Sequence, residues 1–292
     1  MTGGVDLHSH TTASDGTLSA RELVRAAVKR GVRVLAITDH DSTDALADAL
    51  DEAARHPPLT IVPGLEINCD VPGAEVHILG YYVDYAAVWF QDFLREQRAE
   101  RVARVHRIAD RLAELGMPID PAEVFAIVKE GAAGRPHVAQ VMVQRGYVKS
   151  VREAFDRWLH AGGPANVPRK RLTPAEAVHI VRRARGVPVF AHPGLAARDE
   201  LVPELVAAGL LGIETYYAEH SAAQTAHYAE LCRQHGLIAT GGSDYHGERS
   251  GRTNPLGHPP VPMRVYDDLR AAADRVRGEP TDAQRPTQPG PS

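Results

Sequence analysis

The sequence predicts an α/β fold, because short apolar segments alternate with helical patterns along most of the chain. About seven of these segments are rich in Val, Ile and Leu, as buried strands are. The segments between most of them have helical spacing, and the first helix starts with a capping box formed by Ser19 and Glu22. This alternation is typical of a parallel barrel or of a doubly wound sheet.

The elements of this alternating part are predicted in chain order. Strands are expected at residues 5–7, 32–38, 59–62, 76–83, 187–191, 211–214 and 237–240. Helices are expected at residues 20–31, 41–55, 174–186, 199–208 and 222–235. The third of these helices has a clear start, because Thr173 is an N-cap residue, Pro174 suits the first helical position and Glu176 completes a capping box.

The alternation is interrupted after residue 87, where only helical patterns remain until about residue 168. One long helix without Gly or Pro is expected at residues 89–115, with shorter helices at 121–130, 138–144 and 151–160. We therefore predict a catalytic barrel built from residues 1–87 and 169–279 and a helical insertion of residues 88–168 that caps the substrate site. Residues 280–292, rich in Pro, Gln and Thr, are expected to be a disordered tail.

Composition limits the class of protein. The chain has 292 residues, of which 43% are apolar and 24% charged, as in a soluble globular protein. The sequence has neither an apolar run long enough to span a membrane nor a signal peptide. We therefore expect no membrane partner and a cytoplasmic location. Two cysteines cannot form a disulfide framework or a thiolate zinc site. The net charge of −4 does not favour a stable partnership with long nucleic acid.

Metal-binding side chains follow the predicted strands at or just beyond their C-terminal ends. These residues are His8, His10, Asp15, His40, Glu66, His192, Asp244 and His246. Because the C-terminal ends of parallel strands meet on one face, we expect these side chains to converge there. Any one histidine serves equally well as a core or capping residue, but the whole set indicates a site. His77 differs, because it lies early in its strand and reaches this face only if that strand runs opposite to its neighbours.

The residue types indicate the chemistry of the site. Imidazole and carboxylate ligands without thiolate suit Mn²⁺, Zn²⁺ or Fe²⁺, and more than four ligands imply more than one ion. Ions about 3.5–4 Å apart bind a phosphoryl oxygen and activate water. Ser243 lacks the flanking pattern of a nucleophile elbow, and Gly241 and Gly242 are better explained as room for the ligands that follow them.

The motifs that carry these residues resemble those of the polymerase and histidinol phosphatase (PHP) superfamily, in the same order. The motifs are Asp6-Leu7-His8-Ser9-His10, Ser14-Asp15-Gly16, Thr38-Asp39-His40-Asp41, Pro63-Gly64-Leu65-Glu66, Ala191-His192-Pro193 and Gly242-Ser243-Asp244-Tyr245-His246. The resemblance implies a distorted (β/α)₇ barrel with an α-helical insertion. It also implies a cluster of two or three divalent ions, with Mn²⁺ expected first and Zn²⁺ or Fe²⁺ as alternatives.

The resemblance further implies which residues hold which ion. His8, His10, Glu66 and Asp244 would hold one ion. Glu66 would bridge to a second ion held with His77 and His192. The third ion would be held by Asp15, His40 and His246. We also expect Asp6 to support a ligand histidine from behind, with a plain strand-end hydrogen bond as the alternative.

The insertion resembles the branch of the superfamily that dephosphorylates nucleotides. The segments concerned are Gly134-Arg135-Pro136-His137-Val138-Ala139 and Ala161-Gly162-Gly163-Pro164-Ala165. Arg135 offers a planar fork suited to phosphate, and His137 offers a second donor. The alternatives are a surface arginine for Arg135 and a helix-capping residue for His137.

The long predicted helix also carries arginines at intervals of three or four residues. They are Arg95, Arg98, Arg101, Arg104, Arg107 and Arg111. Acidic residues on the same helix match some of these charges, which favours a solvated, salt-bridged face. The alternative is a track for the backbone of an oligonucleotide.

Together these features predict a phosphoric ester hydrolase that uses metal-activated water. The expected substrates are nucleotides: a 3′,5′-nucleotide bisphosphate, a nucleoside monophosphate, or short RNA degraded as a 5′–3′ exonuclease. A histidinol phosphatase would use the same metals, although the helical insertion argues against it. A non-catalytic metal-binding regulatory module would lack some of the ligands, and none is missing from the sequence.

Overall fold

The computed structural model describes residues 4–72, 74–128, 133–167, 172–248, 250 and 254–279, without the side chain of Asp70. Seven strands of these residues form one sheet in which each strand pairs with the next in the chain. The strands are β1 Gly4–Asp6, β2 Val32–Ile37, β3 Thr60–Val71, β4 Ala74–Tyr81, β5 Val187–Phe190, β6 Gly212–Tyr217 and β7 Ile238–Gly242. The number and order of the strands confirm the predicted alternation.

The two ends of the sheet approach each other and nearly close it into a barrel. Just beyond β1, the Leu7 amide donates a hydrogen bond of 3.1 Å to the carbonyl of Gly241 in β7. An isolated parallel bridge joins Ser9 to Tyr245 on the same side. The predicted α/β barrel is therefore confirmed.

Strand β4 runs against the direction of both of its neighbours. It pairs antiparallel with β3, where Asn68 lies opposite His77, and antiparallel with β5, where Ile78 lies opposite Phe190. The other paired strands are parallel. The prediction of a fully parallel sheet is therefore wrong at β4. The reversal brings the start of β4, with His77, to the face where the other strands end.

The helices follow the predicted order with two differences. Those beside the barrel are α1 Ala20–Lys29, α2 Leu46–Ala53, α7 Pro174–Arg183, α8 Pro193–Ala196, α9 Val202–Ala208, α10 Ala222–His235 and α11 Met263–Gly278. The sequence did not predict α8 or α11. Helix α2 begins later than predicted because Asp41, with a φ of 50°, donates its amide to the Glu66 carbonyl at 2.9 Å instead of entering a helix.

The interrupted part of the chain forms helices with a core of their own. They are α3 Val88–Glu114, α4 Pro121–Ile127, α5 Arg135–Gln144 and α6 Val151–Ala154, and a π-helix at Phe155–Leu159 continues α6. Val105, Ile108, Leu112, Val138 and Met142 are buried in this core. The end of the predicted helix 121–130 and the predicted tail lie outside the described residues. In the described part of the chain, no helix has the length and apolar character needed to cross a membrane.

Candidate metal centre

The face where the strands end, and where β4 begins, gathers every residue predicted to bind a metal. Seven of them are buried, and Asp15 and His77 are half-buried. The set is His8, His10, Asp15, His40, Glu66, His77, His192, Asp244 and His246. Potential ligand atoms lie within 4.8 Å of one another in each of three overlapping groups: His8, His10, Glu66 and Asp244; His10, Asp15, His40 and His246; and His40, Glu66 and His77.

The first group combines residues from both ends of the chain. Glu66 Oε2 lies 3.2 Å from His8 Nε2 and 3.3 Å from His10 Nε2. Asp244 Oδ1 lies 3.4 Å and 3.1 Å from the same two nitrogens. The extended backbone of residues 8–10 explains the pairing, because side chains at positions i and i+2 point to the same side.

The second group is centred on Asp15. Its Oδ1 lies 3.1 Å from His246 Nε2 and 3.7 Å from His10 Nδ1. Its Oδ2 lies 3.8 Å from His40 Nε2. His10 therefore borders both the first and the second groups.

The third group uses the other oxygen of Glu66. Glu66 Oε1 lies 2.7 Å from His77 Nδ1 and 3.0 Å from His192 Nε2, and these two nitrogens are 3.3 Å apart. His40 Nδ1 lies 3.1 Å from Glu66 Oε2 as well, so it contacts the carboxylate that was expected to serve other ions. Glu66 thus touches ligand candidates from all three groups.

Backbone geometry at the strand ends directs these side chains inward. His192 and Asp244 have positive φ angles of 27° and 52°, which cost non-glycine residues about 1–3 kcal/mol each. Gly242 permits the close approach of β7 to the chain after β1, because a Cβ there would lie 2.4 Å from the amide nitrogen of His8. The suggestion that glycine makes room for the following ligands agrees with this geometry.

The electrostatics of the cluster keep its carboxylates ionised but affect its imidazoles in different ways. Burial opposes the charged forms of His8, His10 and His192, but neighbouring carboxylates raise the pKa of all three, that of His10 to about 9. Burial alone would raise the pKa of the Glu66 carboxyl, but the imidazoles of His40, His77 and His8 hold it well below its usual range. Burial would also raise the pKa of Asp15, and two neighbouring imidazoles hold it well below its usual range. Burial lowers the pKa of His40 well below its usual range. Ionised carboxylates and neutral imidazole are the forms that ligate cations.

The donor set fits a divalent metal site. His10 Nε2 is buried, and its approaches to Glu66 and Asp244 at 3.3 and 3.1 Å do not have hydrogen-bond geometry. Ligand atoms about 2.0–2.2 Å from a shared ion lie at such separations from one another. The spacing and the absence of thiolate suit an ion with nitrogen and oxygen ligands.

Several buried residues around the cluster escaped the sequence analysis. Glu214 is fully buried, with Oε1 2.9 Å from His8 Nδ1, and it is the last residue of the predicted strand 211–214. Its place at a strand end is the signal that marks the other site residues. Asp39 accepts hydrogen bonds of 2.7 Å from the Thr11 amide and 2.5 Å from the Ser14 hydroxyl, which fix the loop before Asp15.

Asp6 does not contact an imidazole, contrary to the expectation that it supports a ligand histidine. Its carboxylate accepts hydrogen bonds from the amides of His8, Ser243 and Gly257 at 3.3, 2.9 and 2.7 Å. It also accepts one of 2.7 Å from the Ser243 hydroxyl. Asp6 therefore holds β1 to the turn that presents Asp244.

The helical part of the chain places arginines beside the cluster. A cavity of about 90 Å³ lies between Asp15, His40 and His77 on one side and Arg101, Arg104 and Arg135 on the other. The guanidinium of Arg135 pairs with Glu75 and donates to the Leu159 carbonyl at 2.9 Å, so Arg135 is not a surface arginine. These are the contacts of an arginine that lines a site.

His137 lies near this cavity in a different role. It is buried, and its Nδ1 accepts a hydrogen bond of 3.1 Å from the Gly134 amide at the start of α5. That contact matches the helix-capping alternative.

The regularly spaced arginines of α3 lie on two faces of the helix. Arg101 and Arg104 are buried with exposed fractions of 5% and 4%, so a uniformly solvated face is the wrong prediction for them. Arg101 Nε donates to Asp41 at 2.7 Å, and Arg104 donates to Glu75 at 3.2 Å. Arg95, Arg107 and Arg111 form pairs on the more exposed side of the helix, as predicted.

Comparison with known proteins agrees with the fold. The PHP domain family profile matches residues 6–167, which is more than half of the chain. The chain belongs to the PHP domain family.

The most similar relatives cover most of the chain. The 5′-3′ exoribonuclease Rnm of Salmonella typhimurium is 36% identical over 247 residues, which are 82% of this chain and 84% of the relative. The 3′,5′-nucleoside bisphosphate phosphatase of Chromobacterium violaceum is 32% identical over 91% of this chain and 96% of the relative.

A solved structure supports the same conclusion. A protein from Bifidobacterium adolescentis, described as a metal-dependent phosphoesterase, is 31% identical with a TM-score of 0.84. The alignment covers 93% of this chain and 97% of that protein. With these relatives, the chain is a phosphoric ester hydrolase.

Proposed function

We propose that this phosphoesterase hydrolyses phosphate esters of nucleotides, with water activated by a cluster of two or three divalent cations. The substrate is a 3′,5′-nucleotide bisphosphate, a nucleoside monophosphate or the 5′ end of a short RNA. The observation that carries the proposal is the cavity of about 90 Å³ that has metal-binding side chains on one wall and arginines on the other.

The proposed ligand assignment is the one that the family resemblance implies, and the groups of neighbouring ligand atoms support it for every residue except His192, which contacts Glu66 without belonging to a group. His8, His10, Glu66 and Asp244 hold one ion. His77 and His192 hold a second ion with Glu66 as the bridge. Asp15, His40 and His246 hold the third. Mn²⁺ is the first candidate by resemblance to the family, and Zn²⁺ or Fe²⁺ are alternatives because mixed imidazole and carboxylate sites suit all three metals.

Bound cations would supply Lewis acidity for a phosphoryl oxygen and an activated water for attack on phosphorus. The protein supplies the anion site and its orientation. Arg101 Nη2 is buried without a hydrogen-bond partner among the described residues, and Arg101 lines the cavity. An orphaned buried guanidinium nitrogen favours an anionic occupant, because an unsatisfied buried donor costs about 1–3 kcal/mol. Arg135 and His137 orient the same phosphate.

The size of the cavity restricts what enters it. A drug-sized ligand needs roughly 300–1,000 Å³, whereas a water molecule takes about 30 Å³ of liquid. A volume of about 90 Å³ suits one phosphoryl group and excludes a nucleoside. The nucleoside must remain outside, so a terminal phosphate is favoured over one inside a long chain.

The helical insertion of residues 88–168 provides the roof of this cavity. Its own buried core holds the helices together, and Arg101, Arg104 and Arg135 project from them toward the barrel. We propose that the barrel carries the metals and that the insertion caps the substrate.

A side-by-side assay with Mn²⁺ tests the proposal. The substrates are AMP, a 3′,5′-bisphosphorylated nucleoside, a 5′-phosphorylated RNA trinucleotide and histidinol phosphate, each compared by kcat/KM. A nucleotide should be the best substrate, and activity should disappear with a chelator and return with added Mn²⁺. The highest kcat/KM on histidinol phosphate would support the alternative enzyme. Metal binding without turnover of any substrate would support a regulatory module.

A further inference from the structure

Glu214 lies behind the metal-binding residues, at a position that neither the family motifs nor the metal groups include. It belongs to β6 and has an exposed fraction of 0%. Its two carboxylate oxygens have different partners from separate parts of the chain. Oε1 lies 2.9 Å from His8 Nδ1, and Oε2 accepts a hydrogen bond of 2.7 Å from the amide of His192.

We infer that Glu214 is a positioning residue that fixes the ring of His8 and the backbone of His192 for metal binding. This inference rests on the proposed metal centre. Glu214 does not touch substrate, and it acts through the two histidines.

The contact with His8 selects one tautomer of that ring. The opposite nitrogen, Nε2, faces Glu66 at 3.2 Å and Asp244 at 3.4 Å, so Nε2 is the atom available to an ion. An imidazole that ligates through Nε2 carries its proton on Nδ1 and needs an acceptor there. Glu214 Oε1 is that acceptor, and its burial with His8 keeps water from competing for the bond.

The contact with His192 holds a strained backbone. His192 has a φ of 27°, and this conformation turns its ring toward Glu66, with Nε2 3.0 Å from Oε1. The hydrogen bond from the His192 amide to Glu214 stabilises the turn just beyond β5. One side chain thus sets two ligands that the proposed arrangement assigns to different ions.

Glu214→Gln is the sharpest test, because it keeps the shape and removes one acceptor. Both partners donate to Glu214 when His8 Nε2 is available for a metal, but a glutamine has one acceptor oxygen. If the glutamine oxygen faces His192, the amide nitrogen of the glutamine side chain faces His8 Nδ1. That nitrogen is a donor, so it favours the His8 tautomer with the proton on Nε2, which blocks the ligand atom. If the oxygen faces His8, the His192 amide loses its acceptor.

The primary readout is Mn²⁺ affinity, measured by competition with a chelator without any substrate. Loss of a hydrogen bond behind a ligand histidine weakens metal binding by about 10- to 100-fold, and we expect that range for Glu214→Gln. Glu214→Asp keeps two acceptor oxygens and should retain more affinity than Glu214→Gln. Equal affinity of Glu214→Gln and the unaltered protein, or a larger loss in Glu214→Asp, overturns the inference.

Glu52→Gln is the matched control. Glu52 is also a buried glutamate, with an exposed fraction of 2%, but its partners include Arg25 and His56 on the outside of the barrel. Its substitution should lower stability and leave Mn²⁺ affinity unchanged. If both variants lose stability and neither loses affinity, Glu214 has a structural role only.

The ring tautomer provides a second readout that does not depend on variants or on metal. In the unaltered, metal-free protein, ¹⁵N imidazole shifts should show a proton on His8 Nδ1, whether or not Nε2 also carries one. An unprotonated Nδ1 overturns the inference even if Glu214→Gln fails to fold. If the unaltered protein binds no divalent ion, the proposed function fails, and the Nδ1 proton still decides whether Glu214 orients His8.

Discussion

Arg101 Nε lies 2.7 Å from Asp41 Oδ2, and both side chains are buried. Arg101 belongs to the long insertion helix α3, whereas Asp41 follows β2 beside the metal centre. Asp41 Oδ2 also accepts from Asn68 at 3.2 Å, and the Asn68 amide nitrogen lies 3.1 Å from His40 Nδ1. One ion pair therefore connects the cap to the edge of the cluster.

Breaking this pair should destabilise the protein strongly. Arg101→Met leaves the Asp41 carboxylate buried without its cation, and such changes cost about 3–5 kcal/mol. Urea unfolding measures the loss. Arg95→Met removes an exposed arginine from the same helix and should cost no more than about 1 kcal/mol. Equal unfolding midpoints for the two variants would show that the Arg101–Asp41 contact contributes little.

Removing one predicted ligand should abolish turnover without unfolding the chain. We expect His10→Ala and Asp244→Ala to have no measurable activity on the best nucleotide, because His10 Nε2 contacts both Glu66 and Asp244 in the first group of proposed ligands. Circular dichroism should show an intact fold. His179→Ala, at an exposed position on α7, is the control and should keep full activity. Full activity in His10→Ala is incompatible with the proposed site.

Arg135→Ala should chiefly weaken substrate use. Arginine–phosphate contacts are charge-assisted and contribute about 1.5–3 kcal/mol, so KM should rise roughly 10- to 100-fold while kcat changes less. Steady-state kinetics on a bisphosphorylated nucleoside separate the two parameters. Arg145→Ala, which breaks an exposed pair with Glu123 at the end of α5, should leave both unchanged. A fall in kcat alone would place Arg135 outside substrate binding.

Glu52 should contribute to acid sensitivity independently of the metal centre. Hydrogen bonds from Arg25 lead the contributions that outweigh burial and lower the pKa of Glu52 from 4.5 to about 2. A carboxyl whose pKa is depressed by folding stabilises the protein above its unfolded value of 4.5, and this contribution is lost as the pH falls to about 2.

Unfolding measured between these pH values, with a chelator present, tests this contribution. Glu52→Gln should be less stable at neutral pH and should lose less stability on acidification. Glu96→Gln, at an exposed position on α3, should follow the unaltered protein. Parallel pH curves for the Glu52 variant and the unaltered protein would contradict the assignment.

The strand ends and their metal-binding residues follow from the sequence, because apolar runs and the side chains after them are local patterns. The direction of β4 does not, since an apolar run looks the same in either direction and only pairing with β3 and β5 decides it. The assignment of His77 to the metal site therefore rests on resemblance to the family and not on its position in the strand.

Long-range pairing explains what the sequence did not provide. Arg101 and Arg104 have the same helical spacing as their exposed neighbours, and their partners Asp41 and Glu75 lie 60 and 29 residues away. Glu214 ends a strand as the other site residues do, but a lone glutamate does not reveal that it faces a histidine 206 residues away.

The reversed strand β4 carries a residue that contacts the cap and a residue of the metal centre close together in the chain. Glu75 and His77 are two residues apart on β4, so their side chains leave the same face of the strand. Glu75 is held by Arg104 and Arg135 of the cap, and His77 Nδ1 touches Glu66 at 2.7 Å. A ligand that draws either arginine away from Glu75 thus removes a contact that holds the strand carrying His77. Only three residues of backbone separate the contacts above the cavity from a residue of the metal centre.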